Sequence, residues 1–285
     1  MKDVSNAMRA QILTAAVPYI KQYTDQYVVV KYGGNAMTDE ELKKSVMKDL
    51  LLLQLVGVKV VLVHGGGPAI NHTLEAMQIE SHFANGLRVT DEATMDVVQM
   101  VLAGKVNKGL VADLTDLGGK AIGLCGVDGN MIQVHKQNEE LGYVGSVDTI
   151  DTSVIHDVIS RGYIPVISSI GMGADGKTYN INADTVAAKI AGALKAETMV
   201  AMTNIDGVLK DVHDPESLIS KITVAEAEQL KADGIIAGGM IPKVDCCLEA
   251  IEAGAQKVFI INGEIPHAIL IELLTDEGLG TMFVA

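Results

Sequence analysis

Two strand-like segments each end in a side chain that can interact with anions, followed by glycines. Residues 28–31, which end in Lys31, lead into Gly33 and Gly34, and residues 58–64 lead into the run Gly65-Gly66-Gly67-Pro68. Glycine turns leave backbone N–H groups open to a closely approaching anion, and Lys31 adds a positive charge at its strand end. The two segments therefore predict one cleft that binds anionic ligands.

The three glycines after His64 lie between a predicted strand and a helix that begins near Pro68. Backbone amides and the helix dipole make such a junction suitable for a carboxylate or a phosphate. The spacing fits neither the dinucleotide-binding pattern G-x-G-x-x-G nor the P-loop pattern G-x-x-x-x-G-K-[ST]. We interpret His64 as a strand-end histidine satisfied within the structure, not as a catalytic base.

Polar side chains in two later segments could hold a substrate. Arg88 stands just before a helix predicted from Asp91, and its planar guanidinium can bind a carboxylate through two hydrogen bonds; a surface salt bridge is the alternative. Asn180 and Asn182 alternate along an extended segment and so point to the same side, while Asp184 would face the lysines. One of Asn182 and Asp184 is also expected to cap the helix that follows.

Two segments in the last third of the chain suggest a nucleotide site. Thr203 and Asp206 flank a turn that follows a predicted strand, which is a weak signal. The segment Gly239-Met240-Ile241-Pro242-Lys243 is a stronger one, because a flexible glycine precedes a helix whose first turn contains a proline and a lysine. It predicts a phosphate clamp with a lysine in reach.

The elements that must position these residues alternate between strands and helices, which is typical of a mostly parallel sheet covered on both faces. Residues 1–26 predict an amphipathic helix that either covers the sheet or packs against another subunit. Residues 120–150 predict hairpins rather than a βαβ unit. Further strands are expected at 164–169, 199–203, 258–261 and 281–284, and helices at 39–56, 91–117 with an interruption near Gly104, 151–161, 183–195, 223–232, 242–253 and 267–274.

Composition excludes several classes of partner. The 285 residues include 36 acidic and 22 basic side chains, a net charge of −14 that repels nucleic acid and anionic membranes. The three cysteines form no C-x-x-C pair, so neither a zinc site nor a disulfide framework is predicted. No apolar run reaches the roughly 18 residues of a membrane span, and no signal-peptide pattern is present. We expect a cytoplasmic protein.

These motifs resemble those of the amino acid kinase family over nearly the whole chain. The resemblance rests on five segments in the family's order: 31–34, 64–68, 85–90, 180–184 and 239–243. It implies a three-layer αβα sandwich with a mainly parallel, open eight-stranded sheet. Residues 27–195 would form an N-acetylglutamate-binding lobe and residues 196–285 an ATP-binding lobe, with the boundary near 190–198.

The resemblance also implies a reaction and the residues that perform it. The γ-phosphate of ATP, which arrives with Mg²⁺, would be transferred to the side-chain carboxylate of N-acetyl-L-glutamate, the second step of arginine biosynthesis. Lys31 and Lys243 would stabilise the transferring phosphoryl group, and Asp184 would hold both lysines. The acceptor would be bound by Gly66, Gly67, Arg88, Asn180 and Asn182, and the nucleotide by Gly33, Gly34, Thr203, Asp206, Gly239 and Met240. No dedicated metal cage is expected.

Both ends of the chain resemble the arginine-inhibited members of the family. The segment around Tyr19 is similar to an extra N-terminal helix through which three dimers interlace into a hexamer. The run from His267 through Glu272, Gly278 and Gly280 is similar to the C-terminal part of that type. The resemblance therefore implies a homohexamer, a trimer of dimers, with L-arginine as a feedback inhibitor.

Other readings of the same residues stay open. Carbamate, aspartate, glutamate and uridylate kinases share the lysine and glycine features, and a kinase of carrier-linked aminoadipate is the nearest rival. A nucleotide or amino-acid sensor without turnover would keep the binding cleft, although the joint presence of Lys31, Asp184 and Lys243 argues against it. A nicotinamide-dependent dehydrogenase fits the alternation but lacks the glycine fingerprint.

Overall fold

The computed structural model describes residues 5–84 and 86–285, apart from the side chain of Asn35. The strands are β1 Tyr27–Tyr32, β2 Lys59–His64, β3 Phe83–Ala84, β4 Leu87–Arg88, β5 Ala121–Cys125, β6 Ile132–Lys136, β7 Gly145–Ile150, β8 Ile164–Ser168, β9 Ile170–Gly173, β10 Thr178–Asn180, β11 Thr198–Thr203, β12 Lys221–Thr223, β13 Lys257–Asn262 and β14 Thr281–Val284.

The helices are α1 Asn6–Ala15, α2 Val17–Tyr23, α3 Glu40–Leu55, α4 Gly67–Ala76, α5 Glu92–Gln99, α6 Asn107–Asp116, α7 Ser153–Ser160, α8 Ala183–Ala193, α9 Val224–Ala232, α10 Ile241–Glu252 and α11 Ala268–Leu274. A π-helical segment, Met100–Val106, joins α5 to α6. The helix predicted over 91–117 is thus continuous, and the predicted interruption near Gly104 is a change of hydrogen-bond pattern rather than a break.

Within the described residues, an eight-stranded sheet in the order β12-β14-β13-β11-β1-β2-β8-β5 forms the centre of the molecule. All its neighbouring strands are parallel except β13 and β14, which run antiparallel. This arrangement confirms the predicted mainly parallel, eight-stranded sheet. The carboxyl ends of the six mutually parallel strands, β13-β11-β1-β2-β8-β5, lie along one edge, where ligands of open α/β sheets bind.

Alternating residues of β1 pack on opposite faces of the sheet. Val28 and Val30 belong to a buried cluster with α3 and α11, whereas Val29 belongs to a second cluster with α8 and α10. Because the parallel sheet is covered by helices on both faces, its central strands are apolar on both sides. The fold is therefore the predicted αβα sandwich, with its core in two layers.

Two expectations about local structure are wrong. The segment 121–125, predicted as part of a hairpin, is β5 and pairs parallel with β8 at the edge of the central sheet; the partner of so short a strand is set by long-range pairing and not by its own composition. Only β6 and β7 form the expected antiparallel hairpin, joined by β9 and β10 into a small separate sheet. The N-terminal segment holds two helices instead of one, because Pro18 favours a new first turn.

Candidate functional site

Lys31 lies near the carboxyl end of β1, where the order of the strands reverses. The strand pairs with β2 on one side and with β11 on the other, and Lys31 is level with Val63 and Ala201. The chain builds the β2 side first and then crosses to the β11 side, so the crevice at this point is bounded by early and late parts of the sequence. Such switch points are the usual ligand sites of doubly wound sheets.

Asp184 lies between two lysines that come from opposite sides of this crevice. Its Oδ1 is 2.9 Å from Nζ of Lys31, and its Oδ2 is 4.0 Å from Nζ of Lys243. The Lys31 side chain is 10% exposed and that of Lys243 29% exposed. Two cations share one anion here, so the cluster carries a net positive charge toward any bound phosphate.

Local sequence explains how the three side chains meet. Asn182 caps α8, since its Oδ1 accepts the N–H of Asp184 at 2.8 Å, and this places Asp184 in the first helical turn. Lys243 enters from the first turn of α10, which packs against α8. The predicted proximity of Lys31, Asp184 and Lys243 is therefore observed, and Asn182 is the residue that caps.

A cavity next to this cluster collects the residues predicted to bind the acceptor. Its lining includes both glycines of the turn after β2, the guanidinium side chain from β4 and both asparagines, namely Gly66, Gly67, Arg88, Asn180 and Asn182. A second cavity adjoins it through Asn182 and reaches Pro242, just before Lys243. The two cavities thus reach Ala183 and Pro242, the sequence neighbours of Asp184 and Lys243.

Arg88 is buried and oriented by neutral partners. Its Nη2 donates to Oδ1 of Asn71 at 2.6 Å, Nη1 donates to Ser81, and the guanidinium lies 4.7 Å from the ring centre of Phe83. Among the described residues no carboxylate forms an ion pair with Arg88. Burial lowers the pKa of Arg88. A buried cation without a carboxylate partner is suited to an anionic ligand.

Asn180 is half-buried at the end of β10, and its Nδ2 donates to Oγ1 of Thr90 at 3.3 Å. Asn180 lines the same cavity as Arg88. Asn85, which belongs to the same sequence motif as Arg88, lies outside the described residues. The acceptor cavity therefore offers a cation, an amide and backbone N–H groups.

The residues predicted to bind the nucleotide lie along the carboxyl edge of the β1 and β11 side. Gly33 and Gly34 follow β1, and a Cβ on Gly33 would lie 3.6 Å from Nζ of Lys31. Thr203 ends β11, and Oδ1 of Asp206 accepts a hydrogen bond from Asn262 at 2.8 Å. Gly239 and Met240 belong to the single turn that leads into α10.

The residues predicted to form an inhibitor site come from both ends of the chain, and the helices α2 and α11 beside them pack against each other. Tyr19 lies on α2, which packs against α11, and His267 immediately precedes α11. Nδ1 of His267 is 2.6 Å from Oδ1 of the buried Asp49 on α3. The carboxylate of Glu272 accepts N–H groups from Leu279 and Gly280, at 2.7 and 3.2 Å, and so orders the turn that contains Gly278.

Several residues around the site were not predicted. Asn71 and Ser81 orient Arg88 from positions that carry no motif, and only the fold brings them together. Asn107 contacts His64 and had a readable signal, because it lies on the same helical face as the buried Leu110 and Leu114. A polar residue within an apolar stripe indicates a buried hydrogen bond.

A comparison with protein families supplies the decisive observation: the amino acid kinase family model matches residues 26–262. The chain belongs to the amino acid kinase family. It is therefore an enzyme, a phosphotransferase whose phosphate donor is ATP. The matched range contains Lys31, Asp184 and Lys243 together with the acceptor cavity.

Relatives of known name agree over the full length. The chain is 53% identical to an acetylglutamate kinase of Brachyspira hyodysenteriae, covering 99% of both proteins, and 50% identical to one of Thermosynechococcus vestitus, covering 99% of this chain and 96% of that one.

Solved structures of other proteins share the fold. An N-acetylglutamate synthase from Neisseria gonorrhoeae, complexed with coenzyme A and N-acetyl-glutamate, is 27% identical with a TM-score of 0.84, and the chain covers 63% of its length. A carbamate kinase from Giardia lamblia bound to AMP-PNP has a TM-score of 0.67 at 15% identity, which supports the fold alone.

Two features are absent from the described residues. None of their helices is both long and apolar enough to pass through a membrane. No group of three or more histidines, cysteines, aspartates or glutamates in the described ranges could hold a metal ion.

Proposed function

We propose that this enzyme transfers the γ-phosphate of ATP to the side-chain carboxylate of N-acetyl-L-glutamate, the second step of arginine biosynthesis. The observation that carries the proposal is the shared carboxylate of Asp184 between Lys31 and Lys243, beside a cavity with the buried cation of Arg88. The relatives named acetylglutamate kinase, about half identical over the whole chain, support the same acceptor.

The chemistry requires charge neutralisation more than proton transfer. A carboxylate is ionised near neutral pH, so the nucleophile needs no general base. The obstacle is the approach of two anions, which positioned cations and backbone N–H groups reduce. Lys31 and Lys243 would neutralise the oxygens of the transferring group, and Asp184 would hold both ammonium groups in place. Mg²⁺ would enter with ATP as part of that substrate.

The acceptor would bind in the cavity that contains the glycine turn. Arg88 would pair with a carboxylate, Asn180 and Asn182 would contact the acylamino group, and Gly66 and Gly67 would offer backbone N–H groups. The nucleotide would lie along Gly33, Gly34, Thr203, Asp206, Gly239 and Met240. The lobe of residues 27–195 would thus serve the acceptor, and that of residues 196–285 the nucleotide.

A coupled assay of ADP release tests the acceptor. We expect turnover with N-acetylglutamate and a kcat/KM on the order of 100-fold lower for free glutamate, aspartate and carbamate. Without the acyl group, polar groups of the site would lack a hydrogen-bond partner. An N-acylated aminoadipate used better than N-acetylglutamate would favour the rival kinase. If no ADP is released with any of these acceptors, the proposal is contradicted and a sensor without turnover is favoured.

We further propose feedback inhibition by L-arginine in a hexamer built through the N-terminal helices. Tyr19, His267, Glu272, Gly278 and Gly280 would form the inhibitor site, since α2 packs against α11. No described residue of α1 is buried, and Met8, Ile12 and Leu13 expose their apolar side chains. Such a surface would be covered if α1 interlaced with the same helix of another dimer.

Removal of the N-terminal helices tests this regulation. Deleting residues 1–24 is expected to abolish arginine inhibition and to leave dimers, measured by light scattering and by activity with and without arginine. Because that deletion also removes the buried Tyr23, a matched variant combining Ile12→Asp and Leu13→Asp keeps α2 intact. Normal inhibition in both variants would contradict the proposal.

A further inference from the structure

His64 lies behind the glycine turn and is hydrogen-bonded through both ring nitrogens. Its side chain is fully buried at the end of β2. Nδ1 lies 2.9 Å from the carbonyl oxygen of Gly65, and Nε2 lies 3.0 Å from Nδ2 of Asn107. The ring therefore connects the interior of the protein to the backbone of the turn.

The surroundings of Asn107 determine which ring nitrogen carries the proton. Nδ2 of Asn107 lies 2.8 Å from the carbonyl oxygen of Val166 and 3.3 Å from that of Leu124, so Val166 and Nε2 of His64 are its two nearer acceptors. Its Oδ1 lies 3.1 Å from Nζ of Lys108. A carbonyl oxygen can only accept and an ammonium can only donate, so the amide nitrogen of Asn107 faces the carbonyl and is a donor. Nε2 of His64, which faces the same nitrogen, therefore accepts. The proton of the neutral ring is then on Nδ1, which donates to Gly65.

The ring stays neutral under physiological conditions. Burial lowers the pKa of His64 to about 4, with a smaller contribution in the same direction from the charge of Lys108. An imidazole that is neutral and enclosed cannot exchange a proton with substrate. Its fixed tautomer has a different use.

We propose that His64 is a positioning residue for the acceptor, because it holds the carbonyl of Gly65 and thereby aims the N–H of Gly66 into the acceptor cavity. No cis peptide bond occurs in the described chain, so this N–H points opposite to the carbonyl that His64 binds. The N–H of Gly65 is itself fixed, since it donates to the carbonyl oxygen of Tyr32 at 3.1 Å. Gly66 lines the cavity that contains Arg88.

The π-helical segment supports the same backbone from another side. A Cβ on Gly66 would lie 2.6 Å from Cδ2 of Leu102 and 3.3 Å from Cγ2 of Val106. The segment ends where Asn107 begins α6, so one feature supplies both the packing against Gly66 and the partner of His64. π-Helical segments within α-helices are frequent at functional sites. The N–H is thus oriented before the acceptor binds, as effective charge stabilisation requires.

Two substitutions of His64 separate this role from simple burial. His64→Asn keeps a donor near the position of Nδ1 and loses the contact to Asn107, whereas His64→Gln keeps polarity toward Asn107 and loses the donor to Gly65. Both remove part of the ring and leave a similar void. Kinetic constants for both substrates and melting temperatures are measured for the two variants.

We expect His64→Gln to lower kcat/KM for the acceptor by about 10- to 100-fold, since an oriented hydrogen bond to a charged group is lost. The KM for ATP should stay within about twofold of the wild-type value. His64→Asn should retain most of the wild-type kcat/KM for the acceptor. Equal losses in the two variants, or an equal rise of both KM values, would overturn the proposal. This inference rests on the proposed acceptor, but the difference between the variants is read on whichever acceptor the wild type uses.

A measurement on the wild-type enzyme keeps the proposal testable if His64→Gln does not fold. In a sample with ¹⁵N-labelled histidines, the His64 signals are assigned by their loss in His64→Asn. We expect Nδ1 to be protonated and Nε2 unprotonated, without titration between pH 6 and 8, in agreement with the pKa of about 4. A proton on Nε2 would overturn the proposal, because Nδ1 could then not donate to Gly65.

Discussion

The two lysines that share Asp184 differ in how firmly the structure holds them. Lys31 extends from the central strand β1, is buried, and contacts Asp184 at 2.9 Å. Lys243 extends from α10 behind a single turn of glycines, is more exposed, and lies 4.0 Å from the same carboxylate. The β1 side of the crevice is therefore fixed by the sheet, whereas the α10 side has room to adjust.

Arginine at each lysine position tests this difference most strongly. Lys31→Arg is expected to reduce kcat by about 10²- to 10³-fold, because a larger planar cation cannot fit the buried position beside Asp184. Lys243→Arg should lose only about 10-fold, since its side chain has solvent around it. Steady-state kinetics with saturating ATP measure both. Equal losses would show that the two sides are equally constrained.

Asp184→Asn removes the anion that both lysines share. We expect kcat to fall by about 10- to 100-fold, because the two ammonium groups then repel each other and lose their orientation. Lys243, with its longer contact, should be displaced more than Lys31. A crystal structure of the variant checks the displacement. Unchanged positions of both ammonium groups together with normal kcat would contradict the shared role.

Gly238→Ala gives the smallest effect and concerns the adjustable side. Gly238 has φ +54° and Gly162 has φ +76°, and a Cβ on either would meet no atom within 4 Å. Alanine at each should therefore destabilise the fold by about 1 kcal/mol. Of the two, only Gly238 belongs to the turn that leads into α10 and Lys243, so we expect the KM for ATP to rise about threefold in Gly238→Ala and to stay unchanged in Gly162→Ala. The same KM in both variants would show that this turn does not affect the nucleotide.

The sequence was most informative where one short segment both forms an element and carries its chemistry. Lys31 and Asp184 could be located because a buried strand ends at one and a capped helix begins at the other. The strand of residues 121–125 was mistaken for a hairpin, because pairing with β8 is a long-range property that its own composition does not encode. The partners of Arg88 and His64 were missed for the same reason: Asn71 and Asn107 become neighbours only through the fold.

Binding and turnover in Lys243→Ala test the central claim, that the lysine cluster serves phosphoryl transfer and not recognition of the acceptor. Calorimetry gives the Kd for N-acetylglutamate, and the coupled assay gives kcat at saturating ATP. We expect a Kd within about twofold of the wild type and a kcat reduced on the order of 10²- to 10³-fold, by comparison with the loss of other groups that stabilise developing charge. A variant with near-normal kcat, or one that no longer binds N-acetylglutamate, would contradict it.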